Sequence, residues 1–157
     1  MKDDILIVYY TCSGLTKKVV EFMKDKLKAD VFEIELDKPY NKVSAYTIGM
    51  LHAHNGYLPK INNSIDLNKY SVVFIGTPIW AYTLTPAIRS FISNNCLDGK
   101  RVIPFCTDDG NKGKYFENMK KLYNDMEISS GYEFQFVKKK EDDEIKKEVS
   151  SWLEKIM

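Results

Sequence analysis

Thr11, Cys12, Ser13, Gly14, Leu15 and Thr16 stand between a short apolar run, Ile5 to Tyr10, and a stretch with helical spacing at Val19, Val20, Met23 and Leu27. Hydroxyl side chains around a glycine at such a junction suit the binding of an anion. The first turn of a helix presents unpaired N–H groups and the positive end of a dipole. Thr11, Ser13 and Thr16 add hydroxyl donors, and Gly14 lets the backbone bend closely around a phosphate. No arginine falls in the loop, and Lys17 and Lys18 only follow it. Neutral dipoles would therefore hold the anion, which favours a resident cofactor over a passing, highly charged substrate. An ordinary strand–helix turn with Ser13 as its N-cap uses the same residues. The stretch alone leaves both readings open.

Two further stretches carry residues of the same kind. Thr77-Pro78-Ile79-Trp80-Ala81-Tyr82 and Thr107-Asp108-Asp109-Gly110-Asn111-Lys112-Gly113 each follow an apolar run. Trp80 offers an aromatic platform for an aromatic ligand, or else packs into its own loop. Cys12 would lie at a helix N-terminus, where a thiolate is favoured. His52 and His54, two apart, point away from each other on a helix and read as surface histidines. No metal-ligand spacing accompanies them.

The elements that must position these loops follow from periodicity. Continuous apolar runs at 5–10, 71–75 and 101–106 read as central strands, buried on both faces. Alternating runs at 31–36 and 132–137 read as edge strands. Helical spacing is expected after the first loop, over 42–54 with Val43, Tyr46, Met50 and Leu51 on one face, and after Thr85-Pro86 with Ile88, Phe91 and Ile92 inward. It recurs around Tyr115, Phe116, Met119, Leu122 and Tyr123, and over 141–156 with Ile145, Val149, Trp152, Leu153 and Ile156 inward. Five strands alternating with helices predict an α/β layer sandwich with a mostly parallel sheet. In such sheets the ligand crevice lies beyond the carboxyl ends of the strands, where the strand order reverses. All three loops leave those ends, so they converge on one crevice.

The chain has 157 residues, 44% hydrophobic and 29% charged, and a formal net charge of +1. That length predicts a single domain. The balanced charge points to neither nucleic acid nor an anionic membrane surface. Cys12, Cys96 and Cys106 make an odd, unpaired set, which suits a reducing, cytoplasmic setting. Met1 to Asp4 lead straight into a strand, leaving no room for a signal peptide, and no apolar run reaches membrane-spanning length.

The ordered motifs resemble those of a short-chain flavodoxin-like protein. Thr11-Cys12-Ser13-Gly14-Leu15-Thr16 resembles that family's phosphate loop, usually Thr-x-Ser/Thr-Gly-Asn-Thr. Gly76-Thr77-Pro78-Ile79-Trp80 resembles its second loop, and Cys106-Thr107-Asp108-Asp109-Gly110 stands in the place of a third. The resemblance implies a three-layer, doubly wound fold with five parallel strands in the order 2-1-3-4-5. It also implies non-covalent FMN, with the phosphate on Thr11 to Thr16 and the ring between Thr77-Pro78-Ile79-Trp80 and Thr107-Asp108-Asp109-Gly110. The implied role is electron transfer to a redox partner protein or a small-molecule acceptor, by a monomer or homodimer.

Three alternatives stay open. One is an FMN-dependent reductase passing hydride from a nicotinamide to a quinone-like acceptor. Another is a flavin-free interaction domain with Tyr82 in the cleft. The third resembles low-molecular-weight phosphatases, with Cys12 as nucleophile and Lys18 where those enzymes carry arginine. Leu15 replaces the family's usual asparagine, Ala81-Tyr82 stands where many relatives have Trp-Gly, and Asp108-Asp109 replaces Ser-Gly. The acidic pair is expected to lower the potential of a bound flavin modestly. The glycine pattern of dinucleotide-binding folds and the Walker lysine motif are both absent from the sequence.

Overall fold

A computed structural model describes residues 4–157. Residues 1–3, part of the N-terminal stretch read above, lie outside the described residues. Five parallel strands form one sheet in the order β2-β1-β3-β4-β5. They are β1 (Ile5–Tyr9), β2 (Asp30–Glu33), β3 (Val72–Pro78), β4 (Arg101–Asp108) and β5 (Tyr132–Gln135). The continuous apolar runs became β1, β3 and β4, and the alternating ones became the edges β2 and β5. This is the three-layer order that the resemblance implied.

Apolar residues alternate across the pleat and fill two cores. On one face Ile5, Ile7, Tyr9 and Phe74 pack against Val19 and Met23 of α1 (Leu15–Leu27) and Ile145, Val149 and Trp152 of α6 (Asp142–Ile156). On the other, Leu6, Val8, Val73 and Ile75 pack against Ile88 and Phe91 of α4 (Pro86–Asn94) and Tyr115 and Met119 of α5 (Tyr115–Leu122).

Strand ends differ from the periodicity in ways that bear on the site. Thr77 and Pro78 pair with Cys106 and Thr107, so β3 runs three residues and β4 two residues beyond the apolar pattern. The second and third loops are thereby anchored in the ladder at their first residues. The edge strands are shorter than expected. β2 ends at Glu33, and β5 ends at Gln135 because Phe136 adopts a left-handed conformation (φ 54°).

The 42–54 helix is the larger correction. It begins in a reciprocal cap, with the Ser44 N–H donating to Asn41 Oδ1 and the Asn41 N–H donating to Ser44 Oγ, both at 2.8 Å. It then runs as α2 (Lys42–Ser44), a π-helical turn at Ala45–Gly49, and α3 (Met50–Asn55). Its inward residues are the small ones, Ala45, Gly49 and Ala53 at steps of four. Val43, Tyr46 and Leu51, expected to share a face with Met50, are exposed, and Met50 alone is half-buried. The reason is close approach. A Cβ at Gly49 would stand 2.8 Å from the Trp80 ring, so a bulky residue has no room on that face.

Candidate functional site

The first loop leaves β1 at Tyr9 and enters α1 through Gly14, which is the N-cap residue in a left-handed conformation (φ 92°). Ser13 is therefore not the cap. Thr11 closes the loop instead, its Oγ1 accepting from the Gly14 N–H at 3.0 Å. No side chain caps the first turn of α1, and nothing lies within 4 Å of where a Gly14 Cβ would stand. The first turn of α1 thus has no side-chain partner for its amides, and it stands beside Ser13, which is exposed, and Thr11, which is half-buried. That is a cradle for an oxyanion, and a side chain at position 14 would strain it.

Three of the threonines singled out in the sequence also tie elements of the fold together. Thr16 and Thr107 share a buried hydroxyl–hydroxyl hydrogen bond of 2.8 Å. It ties the first helix to the third loop across 91 residues of sequence. Thr77 is fully buried, and its hydroxyl bonds that of Thr85 at 2.8 Å and accepts from the Thr85 N–H at 3.3 Å. Thr85 is the N-cap of α4 by position but makes no side-chain cap. These bonds hold the first helix to the third loop and the second loop to α4.

The second loop is a tight hairpin. The Trp80 N–H donates to Thr83 O at 2.9 Å and the Thr83 N–H to Trp80 O at 3.1 Å. Ala81 and Tyr82 between them both have positive φ (51° and 62°). Such a turn favours Asn-Gly, and L-residues with side chains pay steric strain in it. It is braced from two sides. The Ala81 N–H donates to Met50 Sδ at 3.1 Å, and the Lys114 N–H donates to Tyr82 O at 3.0 Å. Tyr82 lies so close to Gly113 that a Cβ there would stand 2.3 Å from Tyr82 O.

Trp80 itself is only 6% exposed. It packs edge-to-face with Tyr10 (5.8 Å) and Tyr40 (5.2 Å). The expected aromatic platform is thus folded into the loop's core, and the exposed aromatic of the hairpin is Tyr82. Pro78 and Ile79 are half-buried, and the Ile79 N–H reaches Thr107 O at 3.1 Å, joining second loop to third.

In the third loop Asp108 is half-buried and Asp109 and Gly110 are exposed. Asp108 Oδ1 accepts from the Gly110 N–H at 2.7 Å, an Asx turn that shapes the loop. Burial first, and then the neighbouring Glu133 carboxyl, push the Asp108 acid up to about 6, against the pull of the Gly110 N–H. Cys106 is buried below, its Sγ donating to Asp108 Oδ2 at 3.7 Å, and burial pushes its thiol well up.

Cys12 differs from the expectation for a helix N-terminus. Burial raises its thiol above the ordinary value, outweighing the opposing effect of Lys42, and its Sγ donates to Tyr40 O at 3.7 Å. Lys18 is paired with Asp142 at 2.8 Å. A raised thiol and an engaged lysine do not make a phosphatase nucleophile and its anion clamp. His52 is also no free surface residue. Its Nδ1 is 2.7 Å from the Tyr40 hydroxyl, and its ring stacks on Tyr57 at 4.0 Å.

Tyr40 and Gly113 shape the second loop, yet periodicity did not single them out, and Met50, read from its helical spacing, serves that loop through the Ala81 N–H. The Gly110-x-x-Gly113 spacing was the one local signal, since both glycines adopt positive φ. Among the described residues no helix is long and apolar enough to cross a membrane.

Comparison with known proteins gives the same picture. No curated protein matches the chain significantly. Among solved structures, a candidate flavoprotein from Bacteroides eggerthii DSM 20697 is 28% identical, with 98% of each chain covered and a TM-score of 0.78. A flavoprotein from Lactobacillus acidophilus NCFM, solved in complex with FMN, is 24% identical over 96% of this chain and 99% of that one, with a TM-score of 0.71. Oxidised Flavodoxin 2 from Bacillus cereus is 18% identical over 98% and 99%, with a TM-score of 0.58. The family model for flavodoxin matches residues 4–156. With the strand order and that match spanning nearly the whole chain, the protein belongs to the flavodoxin family.

Proposed function

We propose that this protein binds FMN and transfers electrons through it to a redox partner protein or small acceptor. The observation that carries the reading is the open cradle at Gly14, an uncapped helix N-terminus beside Thr11 and Ser13, at the carboxyl end of β1. Its donors are neutral, which suits the phosphomonoester end of a resident cofactor. The second and third loops stand beyond β3 and β4, joined by the Ile79–Thr107 hydrogen bond. They supply the walls for a planar ring, with Pro78, Ile79 and Tyr82 on one side and Asp108, Asp109 and Gly110 on the other. Bound FMN supplies one- and two-electron chemistry that no side chain here can. What the chain adds is orientation, through the braced Ala81–Tyr82 turn, and local charge, through Asp108.

Titration of FMN with the purified protein tests this. Saturable quenching of flavin fluorescence is expected, and Gly14→Val should weaken binding at least about tenfold, equivalent to about 1.4 kcal/mol. No quenching by the wild-type chain overturns the proposal. Rapid bleaching of the bound flavin by NADPH alone would replace the carrier with a nicotinamide-dependent reductase.

A further inference from the structure

A cavity of about 310 Å³ lies behind the Ala81–Tyr82 turn, between α3, α4 and the start of α5. Ala53, Ala81 and Tyr82 give it apolar walls, while His54, Arg89 and Lys114 give it cationic or basic ones. No carboxylate among the described residues lines it. The volume sits at the small end of ligand pockets, roughly 300–1,000 Å³.

Arg89 is the unusual member. Its Nε is buried with no hydrogen-bond partner, and among the described residues the guanidinium is in no ion pair. Burial lowers its affinity for its own proton, which marks a cation partly stripped of water and lacking a counter-charge. A buried N–H without a partner is costly to keep, and an anion entering the cavity would satisfy it. The one amide nearby, Asn118 Nδ2, already donates to Thr83 Oγ1 at 2.8 Å and so holds the hairpin wall in place.

We infer that this cavity binds a small organic acid, its carboxylate on Arg89 and its apolar body against Ala53, Ala81 and Tyr82. A planar carboxylate matches the guanidinium fork, and the apolar walls favour a hydrocarbon-bearing acid over a bare inorganic oxyanion. The cavity shares the Ala81–Tyr82 turn with the proposed ring site, but Arg89 belongs to neither the Gly14 cradle nor the ring walls, so its substitution separates the two readings.

The test is calorimetric titration of the flavin-free, full-length protein with benzoate, benzamide and inorganic phosphate, beside amide NMR spectra. Saturable benzoate binding is expected, with shifts at Ala81, Tyr82 and Thr83. Benzamide should bind at least tenfold more weakly. Arg89→Met should abolish benzoate binding while melting no lower than wild type, since it removes a half-buried guanidinium whose Nε has no partner. Arg89→Lys, which keeps the charge and loses the fork, should weaken benzoate severalfold and provides a second folded variant. The inference is overturned if benzoate does not saturate, if Arg89→Met binds it as the wild type does, or if phosphate binds through Arg89 at least as tightly.

Discussion

Asp108 shows how one carboxyl can couple acidity to the loop it shapes. Its folded-state pKa is raised to about 6, so between the ordinary carboxylate range and pH 6 the folded protein holds more protons there than the unfolded chain. Stability contributed by this group is full below the unfolded value and falls as pH rises through about 6. Asp108→Asn retains an acceptor for the Gly110 N–H and removes the charge. It should stabilise the protein at pH 7.5 by on the order of 1 kcal/mol, allowing for solvent screening, and be near neutral at pH 4. Denaturant midpoints at the two pH values check this. An equal effect at both would assign Asp108 to turn geometry alone. With FMN bound as proposed, Asp108→Ser with Asp109→Gly should raise the flavin potential at pH 8. It should do so less at pH 5, where Asp108 already carries its proton. A potentiometric titration at each pH reads the difference, and an unchanged potential at pH 8 would mean that neither acid is felt by the ring.

At the scale of elements, the site depends on ties between segments distant in sequence. The Thr16–Thr107 bond fastens α1 to the end of β4 in a buried setting. Thr16→Val leaves the Thr107 hydroxyl unpartnered and should cost about 1–3 kcal/mol, whereas Thr16→Val with Thr107→Val should cost less than the sum of the two. A double-mutant cycle in urea measures the coupling, and strict additivity would show that the bond contributes nothing. The Ala81–Tyr82 turn makes the opposite case. Ala81→Gly relieves a left-handed residue and should be neutral or stabilising by up to about 1 kcal/mol, because glycine's extra freedom in the unfolded chain offsets part of the gain. Gly113→Ala would drive a Cβ into Tyr82 and should destabilise by about 2 kcal/mol or more. Thermal melts of the two variants should therefore move apart, and a neutral Gly113→Ala would mean that the hairpin is free of α5.

At the scale of the molecule, the two cores lie on opposite faces of one sheet and share its strands. Trp80 sits in one and Trp152 in the other. Gly76 lies in β3 on the Trp152 side, where a Cβ would stand 2.1 Å from the Phe105 ring of the neighbouring strand, so that core is closely packed across its strands. The two cores are expected to unfold together. Single-tryptophan variants, Trp80→Phe and Trp152→Phe, should give coincident fluorescence transitions in urea, corrected for each variant's own stability by circular dichroism. Separate midpoints within one variant would reveal two folding units.

The sequence by itself determined the sheet, its central and edge strands and the three loops at its carboxyl edge, because burial on both faces, on one face, or on a helical stripe writes different periods into the chain. Residues 5–10, 71–75 and 101–106 carried that period plainly. The loop around Gly14 was equally legible as a strand–helix junction, since a left-handed N-cap residue favours glycine locally. What each polar side chain does was decided only by the tertiary structure. Thr16, Thr77 and Thr107 look like ligands in sequence but meet partners 8 to 91 residues away, and a hydroxyl bonds whichever acceptor the fold brings near. The helix over 42–55 was legible but its inward face was not, because Trp80, about thirty residues on, leaves no room for a side chain at Gly49. The unpaired charge of Arg89 and the raised acid of Asp108 were likewise invisible in sequence, because desolvation depends on neighbours that only folding assembles.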